Sequence, residues 1–97
     1  MADYQLTKKA QRELEGIYEY SILNFGLKKA RTYVHGLHTA FTTLADNPRM
    51  GRDYSHLKKK YRRYEYERHS VYYKITKTGV LITRILGPGQ DPIKNLV

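Results

Sequence analysis

The sequence predicts a single α+β domain, residues 1–97, in which an N-terminal helical hairpin packs on a small antiparallel sheet in the order β-α-α-β-β-β. Two observations lead to this prediction. Apolar residues recur at helical spacing through the first half of the chain, and the second half changes to short runs of β-branched and aromatic residues. A chain of 97 residues is also short enough to build only one modest core.

The first helix follows a short strand expected at residues 4–6. Its buried face is predicted to carry a stripe at helical spacing: Ala10, Leu14, Ile17, Ser21 and Phe25. Thr7 is the expected N-cap, because its hydroxyl can accept a hydrogen bond from the first turn. Gly26 is the expected residue after the helix, because glycine enters the left-handed region without steric cost.

A second helix is predicted to follow at once, with its own stripe: Ala30, Val34, Leu37, Phe41, Leu44 and Ala45. The break at residues 24–27 is so short that the two helices must form an antiparallel hairpin. Asn47-Pro48 ends the second helix, since proline disfavours helical backbone in the residue before it. Gly36, in the middle of this helix, is expected to mark the close approach of another element.

Three strands are predicted in the second half, at residues 61–66, 70–75 and 80–86. Lys77-Thr78-Gly79 forms a turn too short for any but an antiparallel connection between the last two strands. Residues 51–57 are predicted to form a loop. Gly87-Pro88-Gly89 is expected to break the last strand and to lead into a short tail.

Composition narrows the classes of function. The chain has no cysteine, which excludes disulfides and thiolate chemistry. No segment approaches the roughly 18 apolar residues of a membrane span, and residues 1–10 contain no apolar signal region. We therefore expect a soluble, cytoplasmic protein that makes no membrane contact and carries no cofactor.

Charge is concentrated in the second half of the chain. Residues 1–48 carry six cations and five acids, whereas residues 49–97 carry twelve cations and four acids, a net charge of +8. This asymmetry predicts one basic surface and an acidic partner, which could be DNA, RNA or an acidic protein segment.

Known catalytic and metal-binding patterns are weak in this sequence. His35 and His38 share a helical face, but no cysteine or carboxylate joins them, so no metal site is expected. Asp53, Ser55 and His56 have the residue types of a catalytic triad, but neighbours in one loop do not meet in triad geometry. No catalytic residue is assigned.

The basic segment, residues 58–63, is the strongest functional signal. Its five cations are Lys58, Lys59, Lys60, Arg62 and Arg63. An edge strand needs only one or two cations to resist aggregation, and five within six residues repel one another. We therefore predict that the segment binds a partner. Tyr64 and the neighbouring tyrosines alternate as a half-buried strand requires, and we assign them to the sheet, although tyrosines can also stack on unpaired bases.

Taken together, the order and spacing of these motifs resemble the ParE branch of the RelE/ParE toxin superfamily over nearly the whole chain. The matching segments are Ala10-x3-Leu14-x2-Ile17-x2-Tyr20, Phe25-Gly26, Ala30-x2-Tyr33, Leu37-x3-Phe41-x2-Leu44-Ala45, Asn47-Pro48-x2-Gly51, Tyr61-Arg62-Arg63-Tyr64, His69-x-Val71-x-Tyr73 and Arg84-Ile85-Leu86-x4-Asp91. Gly87 departs from the pattern, which usually places histidine after Arg-Ile-Leu.

The resemblance implies the toxin of a type II toxin–antitoxin system, a plasmid-stabilising class of protein whose ParE-like members poison DNA gyrase and block replication. It also implies a cognate acidic, ParD-like antitoxin and a hetero-oligomer with it. Direct binding to nucleic acid is not expected outside the gyrase–DNA complex. Residues assigned to antitoxin or target binding are Lys58, Lys59, Lys60, Arg62, Arg63, Tyr64 and Arg84.

Two alternatives remain open. RelE-like members of the superfamily cut messenger RNA in the ribosome, which requires a base, an acid and cations on the phosphate. Arg62, Arg63 and Arg84 could supply the cations, but no histidine or tyrosine follows Arg84, and His69 is the lone candidate base. The other alternative is a basic binding module without enzymatic activity.

Overall fold

The computed structural model describes residues 2–96 and confirms the α+β class, with two helices packed on a five-stranded sheet. In chain order the elements are β1 (Asp3–Leu6), α1 (Lys8–Phe25), α2 (Leu27–Asp46), β2 (Arg52–Asp53), β3 (Arg62–Tyr66), β4 (His69–Ile75), β5 (Gly79–Leu86) and α3 (Pro92–Leu96). The N-terminal strand and the three later strands lie where the sequence places them, within two residues at each end.

Both ends of α1 agree with the sequence analysis. Thr7 Oγ1 accepts a hydrogen bond from the Ala10 N–H at 3.1 Å, as an N-cap residue does. Gly26 has φ +90°, and its N–H donates to the Ile22 carbonyl at 3.0 Å. α2 begins at the next residue, so one glycine joins two helices that pack against each other.

The prediction that Phe25 belongs to the buried stripe of α1 is wrong. Its side chain is 53% exposed, and its neighbours Leu23 and Leu27 are exposed as well. All three lie at the turn of the hairpin. The buried residues of α1, such as Leu14 and Ser21, come before this turn. Periodicity predicts which face of a helix turns inward, but not how far along the helix the core extends.

α2 supplies the centre of the core. Leu37, Phe41 and Leu44 are fully buried, and the helix ends at Asp46, directly before Asn47. Gly36 faces β3, where a Cβ atom would lie 1.9 Å from the Tyr66 hydroxyl. The close approach expected at this glycine is confirmed.

The strand order of the sheet is β1-β5-β4-β3-β2. The pairs β3–β4 and β4–β5 are antiparallel as predicted, and β2 also pairs antiparallel with β3. β1 runs parallel to β5, so the prediction of a purely antiparallel sheet is wrong at this edge. The parallel pair was not predicted, because the position of β1 depends on contacts between residues 3–6 and residues 79–82, which are far apart in the sequence. The predicted loop at residues 51–57 contains the two-residue strand β2, and the predicted tail contains the short helix α3.

The two faces of the sheet carry separate apolar clusters. On the helical face, Val71 and Tyr73 of β4 pack with α1 and α2. On the outer face, Tyr72 packs with Tyr61, Leu86 and Leu96. Alternate residues of a strand point to opposite faces, so β4 contributes to both clusters. The outer cluster is covered by the loop before β3 and by α3, which brings the basic segment onto that side of the sheet.

Candidate functional site

The structure uses most of the predicted binding cations for internal contacts. The Arg62 guanidinium donates to the Gly51 carbonyl at 2.7 and 3.0 Å and to the Arg49 carbonyl at 3.1 Å. These bonds hold the loop that follows α2. Arg62 therefore has a structural role that its position in a basic run did not indicate.

Arg63 points to the outer face of the sheet and is also engaged. It forms an ion pair with Glu65 and donates to the Tyr54 hydroxyl at 3.2 Å. Its guanidinium carbon lies 5.4 Å from the ring centre of Tyr54 and 5.8 Å from that of Tyr72, within the range of cation–π attraction. The interleaving of tyrosine and arginine in the sequence thus corresponds to packing within the chain.

The three lysines of the basic segment differ from one another. Lys58 Nζ donates to the Leu96 carbonyl at 2.9 Å and so holds α3 in place. Lys59 and Lys60 are exposed, and neither side chain forms a hydrogen bond or ion pair with any residue from 2 to 96. Lys59 and Lys60, at the tip of the loop, are therefore the cations of the predicted binding surface that make no such contact within residues 2–96. Tyr64, assigned to both sheet and site, packs against the helical-face core.

Arg84 lies at the open edge of β5, beyond the last residue that pairs with β1. Its Nη2 lies 2.8 Å and its Nε 3.0 Å from Oε2 of Glu13 on α1, and only 11% of the side chain is exposed. The other Glu13 oxygen accepts the Ile85 N–H at 2.8 Å. Arg84 also donates to the Asn95 carbonyl. The ion pair joins α1 to β5, and the bond to Asn95 joins β5 to α3.

An open groove of about 830 Å³ lies between α1, the start of α2 and the end of β5. Its lining is mainly apolar and aromatic, and includes Ile17, Tyr20, Phe25, Tyr33, His69 and Gly87. Two exposed cations, Lys29 and Arg68, also line it. This groove was not predicted from the sequence. The apolar face of α1 is wider than the core requires, because it continues through Tyr20 to Phe25. This additional apolar surface is the feature of the sequence from which a groove could have been predicted.

His69 and Tyr33 form a hydrogen-bonded pair in the wall of the groove. His69 Nδ1 lies 2.6 Å from the Tyr33 hydroxyl, and the two rings meet edge to face with centres 5.5 Å apart. Burial, and to a smaller extent the charge of Arg68, lowers the pKa of His69 below its usual range. Burial raises the pKa of Tyr33. Both groups are therefore neutral near pH 7.

His69 does not join the arginines that the sequence analysis grouped with it as possible catalytic residues. No hydrogen bond within residues 2–96 links its side chain to Arg62, Arg63 or Arg84. Arg63 points to the outer face of the sheet, whereas His69 contacts α2 on the helical face. The three arginines and His69, the candidate base, therefore form hydrogen bonds with different groups.

No metal centre was found in the described part of the chain, where no three histidine, aspartate or glutamate side chains cluster. His38, one of the paired histidines of α2, bonds through Nδ1 to the Tyr4 hydroxyl at 2.6 Å. Neither long helix within residues 2–96 has the apolar length that crossing a bilayer would require.

Comparison with known proteins gives a consistent assignment. The family described as "ParE toxin of type II toxin-antitoxin system, parDE" matches residues 4–92. Toxin ParE1 of Mycobacterium tuberculosis is 31% identical over 94 residues, with 96% of each chain covered. Toxin ParE1 of Caulobacter vibrioides is 31% identical over 75 residues, covering 77% of this chain and 78% of that protein.

The fold has a counterpart among solved structures. A chain from the chromosomal ParDE TA system of P. aeruginosa superposes with a TM-score of 0.74, covering 90% of this chain and 96% of that chain. The sequence identity of the pair is 23%, so this likeness supports the fold alone.

Proposed function

Because the chain belongs to the ParE toxins of type II toxin–antitoxin systems, it is the toxin of such a system, and we propose that it poisons DNA gyrase. In this proposal the toxin stabilises gyrase on cleaved DNA and so blocks replication, without a catalytic residue of its own. A ParD-like antitoxin with an acidic segment neutralises it. The site of action would be the cytoplasm, where gyrase and DNA are found.

One observation supports a binding mode of action over RNA cleavage. Cleavage at a 2′-hydroxyl needs cations on the phosphate beside a group that moves a proton. Arg62, Arg63 and Arg84 instead bond to carbonyl or carboxylate oxygens of this chain. All three guanidinium groups are thus engaged within the chain, and none of them bonds to His69 within residues 2–96.

A ribosome-dependent endoribonuclease is the second candidate, and one feature favours it. Burial lowers the pKa of His69, so its imidazole is neutral near pH 7 and has the form that a base requires. It has a hydroxyl partner in Tyr33 at 2.6 Å and lines an open groove beside Arg68. Such a pair could in principle exchange a proton with a bound substrate.

The two candidates give different results in one pair of assays. Added to purified gyrase and plasmid DNA, the toxin is expected to inhibit supercoiling and to trap linear, protein-linked DNA. The His69→Ala variant should keep this activity, provided that its thermal unfolding shows a folded protein. An endoribonuclease would leave plasmid topology unchanged, would cut messenger RNA on programmed ribosomes, and would lose that cutting in His69→Ala. Cleaved messenger with unaffected gyrase would replace the gyrase proposal by the second candidate.

The antitoxin is proposed to contact two surfaces of the toxin. The groove offers apolar and aromatic area with Lys29 and Arg68 at hand, which suits an amphipathic segment rich in acids. The basic segment offers Lys59 and Lys60, exposed at the tip of its loop. Complementary charge of this kind mainly speeds association and makes it sensitive to salt.

Reversing the charge of the loop tip should weaken antitoxin binding. We expect Lys59→Glu with Lys60→Glu to raise the dissociation constant about tenfold in low salt and to flatten its salt dependence, since the lost attraction is a screened one. Titration calorimetry at two salt concentrations measures both effects. Arg62 and Arg63, assigned to the same surface from the sequence, are unsuitable for reversal because they also hold the loop and Glu65.

The matched control is Lys8→Glu with Lys9→Glu. These residues are exposed in the first turn of α1, where negative charge favours the helix dipole. The change in net charge is the same, but the location is different. Equal weakening by the two pairs would show that total charge, rather than the loop tip, governs the association.

A further inference from the structure

The groove contains a hydrogen-bond donor without a partner in residues 2–96: the Nε2 side of His69. Only Nδ1 of this imidazole forms a hydrogen bond there, to Tyr33. We propose that His69 donates from Nε2 to a carboxylate of the antitoxin segment and so selects which acidic segment the groove accepts. This inference rests on the proposed function, because it assigns a specificity-determining residue to antitoxin docking.

The lengths of the hydrogen bonds around Tyr33 favour one tautomer of His69. The Tyr33 hydroxyl has one hydrogen and two acceptors in reach, His69 Nδ1 at 2.6 Å and the Tyr66 carbonyl at 3.5 Å. The backbone N–H of Arg68 approaches the same oxygen at 3.4 Å and occupies it as a donor. We assign the hydroxyl hydrogen to Nδ1, the nearer of the two acceptors, which makes Nδ1 the acceptor in this pair. A neutral imidazole that accepts at Nδ1 carries its hydrogen on Nε2.

Gly87 leaves that nitrogen uncovered. A Cβ atom at Gly87 would lie 3.5 Å from His69 Nε2 and 3.6 Å from its Cδ2. Any longer side chain at this position would extend from a point already in contact with the imidazole edge. The absence of a side chain here opens the Nε2 side toward the groove that both residues line. The departure at Gly87 from the usual histidine therefore has a local consequence.

The charges around His69 favour an anionic acceptor. Lys29 of α2 and Arg68 of the β3–β4 turn line the same groove and are exposed, so each can approach a bound carboxylate. Among the described residues that line the groove, Glu13 of α1 is the one acid, and its charge is paired with Arg84. The charge of Arg68, which adds to the effect of burial in lowering the pKa of His69, would also attract the carboxylate that His69 binds. Tyr33, which orients the imidazole, is a positioning residue.

The test measures the affinity of the purified toxin, and of variants in which an amide replaces one nitrogen of His69, for the purified cognate antitoxin. An asparagine amide takes the place of Nδ1, whereas a glutamine amide reaches the place of Nε2. We expect His69→Asn to weaken binding about tenfold or more, as loss of a hydrogen bond to a charged group does, and His69→Gln to keep most of the affinity. Gly87→His should also weaken binding about tenfold, because the new side chain covers the donor.

A second variant separates this inference from groove docking itself. Gly16 lines the groove, and a Cβ atom placed there meets nothing within 4 Å, so the side chain of Gly16→Phe has room to begin and its ring would occupy the groove. Loss of affinity in Gly16→Phe, with wild-type binding by His69→Asn and Gly87→His, would overturn the role of His69 while docking in the groove stands. Unchanged affinity in Gly16→Phe would overturn groove docking, and the role of His69 with it. Equal losses in the asparagine and glutamine variants would overturn the donor assignment.

The tautomer can be measured without the antitoxin. Nitrogen-15 spectra of the free toxin should show the hydrogen of His69 on Nε2, and Tyr33→Phe should mix the two tautomers. A spectrum with the hydrogen on Nδ1 in the wild-type protein would overturn the inference.

Discussion

Replacing Phe41 by alanine is expected to lower the free energy of unfolding by about 3–5 kcal/mol, which is a large part of the total for a domain of this size. Phe41 is fully buried at the centre of the helical-face core. Its ring meets that of Tyr4 on β1 at 5.4 Å and that of His38 at 5.8 Å, both edge to face. Truncation removes this buried area and leaves a cavity between α2 and the edge strand.

Urea unfolding followed by circular dichroism measures the effect. Thr39→Ala, two residues away on the exposed side of the same helix, is the control and should change stability by a few tenths of a kcal/mol, since alanine is the better helix former. Equal midpoints for the Phe41 variant and the wild-type protein would contradict the packing described for the core.

Removing the Glu13 carboxylate is expected to be nearly as damaging. Glu13→Ala should lower the free energy of unfolding by roughly 2–4 kcal/mol, somewhat below the range for fully buried ion pairs because both side chains retain some exposure. The variant leaves Arg84, with 11% of its side chain exposed, without its counter-charge. It also leaves the Ile85 N–H without an acceptor at the open edge of β5.

Glu13→Gln separates these two effects. The glutamine carbonyl can still accept from Ile85 or Arg84, but it carries no charge, so an intermediate loss of stability is expected. Hydrogen exchange at residues of α3 should rise in both variants, because Arg84 also donates to Asn95. Stability of Glu13→Ala within 0.5 kcal/mol of wild type, the range usual for surface substitutions, would show that the pair is not structural.

Much of this fold follows from local rules. Thr7 and Gly26 bound α1 because capping depends on a few adjacent residues, and the hairpin at Thr78-Gly79 follows from its short turn. Even the close approach at Gly36 was predicted, although its partner Tyr66 was not. The parallel placement of β1 was missed because residues 3–6 and 79–82 meet only in the tertiary structure.

The candidate site was harder to predict for the same reason. A run such as residues 58–63 indicates how much charge is present, but not which cations will meet carbonyl oxygens of the same chain. Arg62 and Lys58 do so through contacts 11 and 38 residues away in sequence. The groove combines residues from four separate elements, and the pairing of His69 with Tyr33 spans 36 positions. The spacing of residues along the chain does not predict long-range contacts of this kind.

The parallel pairing of β1 with β5 has a consequence for how the protein is made. β5 lies between β1 and β4, so the sheet cannot be completed until residues 79–86 have been synthesised. Contacts this distant in sequence require closure of a long loop and form late in folding. During synthesis the emerging helices would lack the strand that fills the middle of their core, and the groove would lack its β5 wall. The groove therefore takes its final shape only after β5 has been synthesised, well after both of the helices that line it.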